Sequence, residues 1–345
     1  MKLTVDGIIE NLQNGGGCTV YFEQLLSYYQ QDNNKLNYIR YNGSHQNITL
    51  DGANTKLYQR EQRIQERWRD IDINDIDHEA IFHSTHYRLP INKKSSKIIT
   101  TVHDFTYELF RKGPAQWMHS WQKNRAINNS DVVICVSHNT AKDLMRFCAV
   151  SEEKVRVVHN GVSEKYYPIL DVNKTNEVLF VGARHGYKNF LMAVDALSLS
   201  PSLRLSIVGG GKLTSAEIAL LENKIPGRYK HLGRVSDEEL NSIYNRVFCL
   251  LYPSLYEGFG IPVIEAMRSG CVVIAVNVSS IPEVAGDAAI LLDDPHPAAI
   301  AHALKELENQ LFYNKLRNNG FTQAKKFSWE KCYKDTLAIY KECLK

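Results

Sequence analysis

Short apolar runs rich in β-branched residues alternate along the chain with segments whose apolar residues recur at helical spacing. Such runs are typical of strands that are buried on both faces of a parallel sheet. The pattern predicts strands at residues 3–5, 36–41, 80–83, 97–102, 132–136, 155–158, 178–181, 203–208, 229–232, 247–251, 272–275 and 289–291. It predicts helices at residues 20–30, 139–147, 190–197, 237–245, 262–268 and 297–309. This alternation indicates doubly wound α/β domains.

A polar segment at residues 163–176 contains a proline and is the best candidate for a linker between two domains. A chain of 345 residues is long enough for two. We therefore predict an N-terminal Rossmann-like domain at residues 1–165 and a C-terminal one at 176–326. Residues 327–345 end the chain as an amphipathic helix, with Trp329, Tyr333, Leu337 and Tyr340 at helical spacing.

The bulk composition narrows the class of protein. The formal net charge of +3 is too small to imply a nucleic-acid partner. The seven cysteines are odd in number and have no Cys-x-x-Cys spacing, which fits a reducing compartment. The chain contains neither the long apolar core of a signal peptide nor an apolar span of about 18 residues. We therefore expect a cytoplasmic protein that is at most peripheral to a membrane.

Two glutamates stand eight residues apart, Glu257 and Glu265, with Gly-Phe-Gly-Ile-Pro between them. Pro262 suits the first position of a helix, which would put Glu265 in its first turn. The N–H groups at a helix N-terminus can bind a phosphate, and we expect the carboxylates to accept hydrogen bonds from hydroxyls on either side of it. A diphosphate between two polyhydroxyl groups describes a nucleotide sugar. The alternative is a surface loop and helix with two solvated glutamates.

Two cations follow the predicted strand at 178–181, Arg184 and Lys188. Cations at that point would neutralise a diphosphate and stabilise it as a leaving group. Two exposed basic residues are the alternative. Further along, Ser236 caps a predicted helix and Glu239 completes a capping box.

Glycines follow several predicted strands, where they let a loop approach a ligand. Gly182 and Gly209 end two strands of the C-terminal domain, and Gly209 indicates a turn on the nucleotide side. In the N-terminal domain Gly16 and Gly17 precede a helix, whose N-terminus favours anions. Their spacing does not fit Gly-x-Gly-x-x-Gly, because position 20 is valine, so a dinucleotide fingerprint is not supported. A loop without function is the alternative.

Two histidines end predicted strands of the N-terminal domain, at the edge where open α/β sheets bind ligands. His103 follows the strand at 97–102 and can donate to a sugar hydroxyl or offset developing charge. A capping or structural role is the alternative. His83 ends the strand at 80–83 and, with Tyr87 and Arg88, is a candidate for the acceptor side.

The segment from Glu257 to Glu265 resembles the E-x7-E motif of retaining glycosyltransferases with two Rossmann-like domains, the large family numbered 4. The resemblance covers nearly the whole chain and is strongest at residues 178–287. It implies the GT-B fold, in which two such domains face a central cleft and a final helix crosses back onto the N-terminal domain. It also implies transfer of a hexose from a nucleotide diphosphate sugar, with retention of configuration, to a saccharide or lipid-linked saccharide.

The resemblance assigns roles on the donor side. Glu265 would hold ribose hydroxyls and Glu257 hydroxyls of the transferred sugar. Lys188 would stabilise the departing diphosphate with Arg184, whose spacing departs from that of many members. The remaining positions implied to contact the donor are Gly16, Gly17, Gly182, Gly209, Arg234, Val235, Phe259, Gly260 and Ile261, and His103 would lie near the reacting end of the sugar.

One competing motif concerns a metal. Asp70-Ile-Asp72 and Asp75-Ile-Asp77 fit the Asp-x-Asp pattern that binds a metal and a diphosphate in single-domain glycosyltransferases. Such a motif should end an apolar strand, whereas here it follows the charged segment Gln-Glu-Arg-Trp-Arg. We interpret it as an acidic loop. Because no His/Cys group has zinc spacing either, we predict no metal and no cofactor; the nucleotide sugar is a co-substrate.

Two segments leave the question of membrane contact open. The aromatic side chains of residues 110–121 are interleaved with Arg111 and Lys112, which suits a lipid headgroup interface; burial in the N-terminal domain is the alternative. Arginines also cluster at residues 60–69, where a solvated face is favoured over contact with anionic lipid.

The sequence leaves alternatives for the product, for the donor and for the type of reaction. Family frequency favours an envelope or capsule polysaccharide, including lipopolysaccharide, and a GDP- or UDP-sugar such as GDP-mannose as donor. A nucleotide-sugar epimerase on a related fold would consume the donor without an acceptor. A non-catalytic nucleotide-sugar-binding protein would bind the donor only, but the combination of His103, Lys188, Glu257 and Glu265 argues against it.

Overall fold

The computed structural model describes residues 1–76, 81–92 and 96–345. The chain forms two compact units. Unit 1 consists of Met1–Gly161 and Trp329–Lys345, and unit 2 consists of Val162–Ser328. Among the residues just given, no helix is both long enough and apolar enough to cross a membrane.

Unit 1 is built on a seven-stranded parallel sheet. Its strands are β1 (Lys2–Asp6), β2 (Lys35–Tyr41), β3 (Thr55–Arg60), β4 (Ile81–Ser84), β5 (Lys97–Val102), β6 (Val132–Cys135) and β7 (Val155–Val157). Its first helices are α1 (Ile9–Leu12), α2 (Gly17–Gln31), α3 (Thr106–Phe110), α4 (Pro114–Asn129) and α5 (His138–Phe147). The strand order is β3-β2-β1-β4-β5-β6-β7, so the direction of winding reverses between β1 and β4.

Unit 2 repeats this plan on a six-stranded parallel sheet. Its strands are β8 (Glu177–Val181), β9 (Arg204–Val208), β10 (Tyr229–Gly233), β11 (Cys249–Tyr252), β12 (Val272–Val276) and β13 (Ala289–Leu292). Its helices are α6 (Phe190–Ser198), α7 (Ser215–Lys224), α8 (Asp237–Arg246), α9 (Ile261–Arg268), α10 (Ile281–Ala285), α11 (Pro297–Glu306) and α12 (Gln310–Ala324). The order β10-β9-β8-β11-β12-β13 reverses between β8 and β11.

The apolar runs form the strands because helices cover both faces of each sheet. All five residues of β12 are buried, and burying a valine or isoleucine side chain stabilises the fold by about 1.5–3 kcal/mol. Each predicted run coincides with a strand, except that residue 80, the first of one run, lies outside the described residues. The doubly wound α/β class is therefore confirmed.

Several elements were not predicted: the strand β3 and the helices α1, α3, α4, α7, α10 and α12. Strand β3 was not predicted because it lies at an edge of the sheet and is largely polar and exposed. Helix α4 was not predicted because its buried positions include His119, Gln122 and Lys123, so its apolar residues show no helical period.

The last helix, α13 (Trp329–Cys343), belongs to unit 1, as the resemblance implied. Its Tyr333 ring stacks on Tyr28 of α2, with centroids 5.8 Å apart, and the Tyr333 hydroxyl donates to Asp32 at 2.5 Å. The chain thus completes the N-terminal unit with residues from its C-terminus.

Candidate functional site

The predicted donor residues of unit 2 lie on loops that leave neighbouring strands. Lys188 follows β8 and Glu257 follows β11, and these strands pair directly with each other. They are also the two strands between which the winding reverses, and ligands of open α/β sheets bind at the carboxyl ends of such a pair. The fold therefore brings a cation and a carboxylate from distant parts of the sequence to a suitable edge.

Lys188 and Glu257 form an ion pair, with Nζ 2.6 Å from Oε1. Nζ also lies 3.4 Å from the Tyr252 hydroxyl and 5.3 Å from the centre of its ring. The side chains are only 16% and 11% exposed, so this is a largely desolvated pair with a small opening to solvent.

Two serines that the sequence analysis missed fix the backbone around Glu257. Ser279 accepts a hydrogen bond from the Glu257 N–H at 2.9 Å. The buried Ser280 hydroxyl lies 2.9 Å from the carbonyl oxygens of both Glu257 and Phe259, and it can donate to one at a time. Ser279 has a φ of +50°, an unusual conformation for a residue other than glycine. No local signal predicts these contacts, because the serines follow β12, the next strand along the chain.

Glu265 lies on α9, but not in its first turn as predicted. The helix begins at Ile261, so Glu265 is its fifth residue, and Pro262 is the second. The Tyr244 hydroxyl donates to Oε2 at 3.2 Å. Burial raises the pKa of Glu265 to about 7, an effect that the hydrogen bond from Tyr244 opposes.

The turn before α9 requires glycine at its last position. Gly260 is the N-cap residue, with a φ of +99°, and a Cβ there would lie 2.9 Å from Ile281 Cδ1. Phe259, Gly260 and Ile261 thus form a tight entry to the helix. Its first turn presents the Ile261 N–H, because Pro262 has no N–H and the Val263 N–H donates to the Gly260 carbonyl at 3.0 Å. Such a helix start can bind an anion.

Arg184 is buried, so it is not the exposed basic residue that the alternative described. Its side chain is 3% exposed and its Nε pairs with Glu217 at 2.9 Å. The remaining guanidinium N–H groups donate to carbonyl oxygens at distances of 2.8–3.2 Å, those of Gly209, Gly210, Gly211 and Lys212. With these bonds Arg184 holds the glycine turn after β9, and the diphosphate role predicted for it stays a prediction.

The other nucleotide-side positions of unit 2 lie at the same edge of its sheet. Gly182, with a φ of +121°, donates to the Val208 carbonyl at 2.9 Å, and Gly209 donates to Gly233 at 2.7 Å. Arg234 is exposed and Val235 half-buried, directly after β10. The predicted capping box that follows, Ser236 with Glu239, is confirmed.

In unit 1, His103 follows β5, at the carboxyl edge of the sheet. Its ring lies 5.1 Å from that of Tyr21 in an edge-to-face arrangement. Burial lowers the pKa of His103 to about 4, so the imidazole is neutral near pH 7. Within the described parts of the chain, its buried Nε2 has no hydrogen-bond partner. Gly16 is the N-cap residue of α2 and Gly17 its first residue, so both lie at a helix start as predicted.

The three acceptor-side candidates are buried, and their acceptor role stays a prediction. His83 bonds through Nδ1 to the Tyr340 hydroxyl at 2.6 Å and through Nε2 to Thr101 at 2.9 Å, and burial lowers its pKa to about 3. Arg88 pairs with Asp6 at 3.2 Å and Glu66 at 2.6 Å in the core of unit 1. Tyr87 is almost fully buried, and burial raises its pKa well above the ordinary value.

The aspartates of the Asp-x-Asp segments have partners in unit 1. Asp70 binds Arg125 through both carboxylate oxygens, and Asp75 accepts from Arg60 at 2.5 Å. Asp72 accepts from the Asn74 N–H at 2.9 Å, whereas Asp77 lies outside the described residues. A cavity of about 480 Å³ borders Asp72 and Asp75, but the predicted site residues do not line it.

The architecture and the chain's family matches define a class. Residues 164–326 match the family described as "Glycosyl transferases group 1", and residues 24–166 match that described as "Glycosyltransferase Family 4". Together the matches span residues 24–326, and the two parallel α/β units are those of GT-B glycosyltransferases. The chain belongs to the family 4 type of glycosyltransferases.

Three known proteins illustrate the relationship. O-antigen chain mannosyltransferase B of Escherichia coli is 28% identical over 284 residues, which cover 76% of this chain and 74% of that protein. A solved sucrose-phosphate synthase from Thermosynechococcus elongatus is 17% identical with a TM-score of 0.79, over 99% of this chain and 98% of that one. The Anabaena protein HepE, solved with UDP-glucose, is 14% identical with a TM-score of 0.72, over 99% of this chain and 100% of that one.

Proposed function

We propose that this glycosyltransferase transfers a hexose, mannose in the first instance, from a nucleotide diphosphate sugar to a saccharide or lipid-linked saccharide of the bacterial cell envelope. The observation that carries the proposal is the desolvated pair of Lys188 and Glu257 at the switch point of the unit 2 sheet. A sugar diphosphate needs a cation beside its diphosphate and a hydrogen-bond acceptor beside its sugar, and this pair supplies both.

Lys188 takes the role of stabilising the leaving group. When the sugar–phosphate bond breaks, negative charge grows on the diphosphate, and a preorganised cation in a dry site offsets it more strongly than water does. Before the donor binds, Glu257 holds this cation at 2.6 Å. We infer that diphosphate oxygens replace the carboxylate as the partner of Lys188, and that Glu257 then accepts hydrogen bonds from the transferred sugar.

Glu265 takes the role of binding the ribose. A carboxyl with a pKa raised to about 7 is poised to lose its proton when two hydroxyls donate to it. The N–H groups at the start of α9 lie between Glu257 and Glu265 in the sequence, which supports diphosphate binding there. The base would rest beside Arg234 and Val235.

The proposed mechanism is metal-independent and retaining, with the departing phosphate itself assisting the incoming hydroxyl on the same face of the sugar. This follows from the family resemblance, with Lys188 supplying the charge that a metal would supply elsewhere. His103 would lie near the sugar as a neutral imidazole that can accept or donate one hydrogen bond.

The sugar and the pathway are proposed from the relatives. The E. coli relative is named for adding mannose to an O-antigen chain, which favours GDP-mannose and lipopolysaccharide for this chain. HepE was solved with UDP-glucose, which makes a UDP-hexose the second choice. A binding assay with each donor decides between them. The base is expected to rest against backbone groups, so the side chains do not indicate which base is bound.

The proposal includes peripheral contact with the inner face of the cytoplasmic membrane. Trp117 and Trp121 of α4 are 65% and 50% exposed, which removes the alternative that they are buried in unit 1. Phe110 and Met118 are exposed beside them, with Arg111 and Lys112 in the same segment. Tryptophans flanked by cations suit the headgroup region of an anionic bilayer, where a lipid-linked acceptor would be found.

Purified protein incubated with GDP-mannose and with UDP-hexoses tests the proposal. We expect one donor to raise the melting temperature and to be consumed rapidly only when a saccharide or lipid-linked saccharide is added. NMR of the product should show the anomeric configuration of the donor, and EDTA should not slow the reaction. Consumption of the donor to an isomer without acceptor would establish the epimerase instead, and binding without any consumption would contradict enzymatic transfer.

A further inference from the structure

Three side chains of unit 1 meet in a cluster that the proposed roles do not use. Arg67 Nη2 lies 3.2 Å from His86 Nε2, and the rings of His86 and His119 lie 5.8 Å apart. His119 also stacks on Tyr107, with ring centroids 4.1 Å apart. We call Arg67, His86 and His119 the Arg67 cluster.

The Arg67 cluster adjoins the switch point of the unit 1 sheet. The winding reverses between β1 and β4, and His86 lies on the loop that leaves β4. His119 comes from α4, and Arg67 from a short 3-10 turn at Glu66–Trp68. The carboxyl ends of the strands at such a point are where open α/β sheets bind their ligands.

Arg67 is a cation for which the described part of the chain supplies no counter-charge. Its neighbours Arg63 and Arg88 both pair with Glu66, at 2.6 Å each. By contrast, in the described parts of the chain no carboxylate oxygen lies within ion-pair distance of Arg67, whose guanidinium lies over the Trp68 ring at 4.3 Å. Burial lowers the pKa of Arg67, which means that the folded protein holds this charge at a cost. A partly buried cation held in this way favours an anionic ligand.

Several polar atoms of the cluster lack partners. Among the described residues, Arg67 Nε and His119 Nδ1 are buried without a hydrogen bond, and His119 is 6% exposed. Gln122, one turn along α4, donates to the Arg67 carbonyl at 2.6 Å but leaves its own Oε1 without a partner. Buried polar groups are normally satisfied, so these atoms indicate a missing ligand or ordered water.

Ionisable groups of both signs surround the cluster, and among its three members only Arg67 carries a charge near neutral pH. Lys123 is buried on the same helix face, but its Nζ pairs with Glu108 at 2.8 Å and donates to the Asp104 carbonyl at 3.0 Å. The other ionisable groups that face the imidazoles are Asp104, Tyr107, Tyr87 and His103. Burial, with a smaller contribution from Arg67, lowers the pKa of both His86 and His119, to about 4 for His119.

We propose that the Arg67 cluster binds a phosphate or diphosphate group of the acceptor. The unpartnered Arg67 Nε and His119 Nδ1, beside the guanidinium charge, suit a tetrahedral oxyanion, which offers more acceptor oxygens and more charge than a carboxylate. The inference rests on the proposed function, because it makes the acceptor a phosphorylated saccharide or a lipid-linked saccharide diphosphate. Both sources present the same chemistry.

NMR titration of the full-length protein tests the site directly, with the histidine C2–H resonances assigned through His86→Gln and His119→Gln. Inorganic pyrophosphate should shift both resonances and raise the pKa of each imidazole, because the bound anion favours the protonated form. In Arg67→Gln we expect pyrophosphate to bind this site at least about tenfold more weakly, since a charged donor is lost. Arg69→Gln, an exposed arginine in the same segment, should behave as wild type.

The Lys188→Ala variant separates this inference from the proposed function, because it removes the donor-side cation and should leave both histidine shifts intact. Vesicles of phosphatidylcholine with and without phosphatidic acid distinguish the sources: a shift with phosphatidic acid but not with pyrophosphate would assign the site to a lipid headgroup. The site would be overturned if neither pyrophosphate nor phosphatidic acid shifted the histidine resonances. It would also be overturned if Arg67→Gln, with unchanged circular dichroism, showed shifts of the same size as wild type. If Arg67→Gln does not fold, His119→Gln serves in its place and should remove the shift of His86.

Discussion

The two units carry their charged residues differently at the carboxyl edges of their sheets. In unit 2 the cations are compensated: Lys188 by Glu257, and Arg184 by Glu217 and four carbonyl groups. In unit 1 the edge carries imidazoles with lowered pKa values and Arg67, which has no carboxylate partner among the residues that the structure describes. Ion pairs within unit 2 can hold its side chains in place for a donor that always contains a diphosphate. At the unit 1 edge, by contrast, described polar groups lack partners, which suits a ligand that brings its own negative charge.

The largest effect on stability is expected at a buried cation of unit 1. Arg88 lies fully buried between Asp6 and Glu66, so Arg88→Ala leaves the buried Asp6 carboxylate uncompensated and Glu66 with Arg63 as its remaining partner. We expect unit 1 to lose about 3–5 kcal/mol of unfolding free energy, measured by calorimetry or urea unfolding. Arg60→Ala, which breaks the exposed pair with Asp75, should cost less than about 1 kcal/mol. Equal effects for the two variants would contradict the structural role of Arg88.

Arg184 provides the matching test in unit 2. Arg184→Ala removes charged hydrogen bonds to the turn after β9, and we expect a loss of about 2–3 kcal/mol in the unfolding free energy of unit 2. Arg204→Ala, an exposed arginine with one bond to the Gly227 carbonyl, is the control and should change stability little. An unchanged stability in Arg184→Ala, together with lost transfer, would favour the diphosphate-binding role predicted for it.

Glu265 should make unit 2 stability depend on pH. Its folded pKa, about 7, lies above the ordinary value because of burial, so the folded protein binds this proton more tightly than the unfolded chain. The stabilisation is therefore fully present below the ordinary pKa and is lost as the pH rises through about 7. Glu265→Gln should be more stable than wild type at pH 8, with a smaller difference at pH 5, in urea unfolding. A constant difference across this range would contradict the assignment.

Substitutions in α4 should have the smallest effect on stability but a large effect on membrane binding. Trp117→Ala with Trp121→Ala should change the unfolding free energy by no more than about 0.5 kcal/mol, because both rings are exposed. Co-sedimentation with vesicles containing anionic lipid should fall to near background in the double variant. Leu311→Ala, an exposed apolar residue of unit 2, is the control. Unchanged sedimentation in the double variant would remove α4 as the contact surface.

The sequence predicted much of unit 2 because its chemistry is local. Lys188, Glu257 and the capping box at Ser236 lie next to strand ends or helix starts that apolar runs reveal. The contacts of Arg184 could not be predicted, since its partners are backbone carbonyls of a turn that only the folded sheet brings near. The serines beside Glu257 were missed for the same reason.

Unit 1 was harder to predict because its polar residues are buried by distant segments. His83 lies one residue before the end of its strand, close to where it was predicted, but a tyrosine from the last helix covers it, 257 positions along the chain. The Arg67 cluster joins a turn, a loop and a helix with no apolar period, so no spacing in the sequence connects its members. Strand ends could be found from the sequence, whereas the neighbours of each strand end could not.

The central claim is that Lys188 acts on the leaving diphosphate, and its alanine variant tests it most directly. The measurement is kcat/KM for sugar transfer by Lys188→Ala, beside Lys224→Ala, which breaks the comparable ion pair of Lys224 with Asp195 in the same unit. We predict a fall of about 10²–10³-fold for Lys188→Ala in protein that circular dichroism shows to be folded, and wild-type activity for Lys224→Ala. Transfer at the wild-type rate by Lys188→Ala would contradict the account.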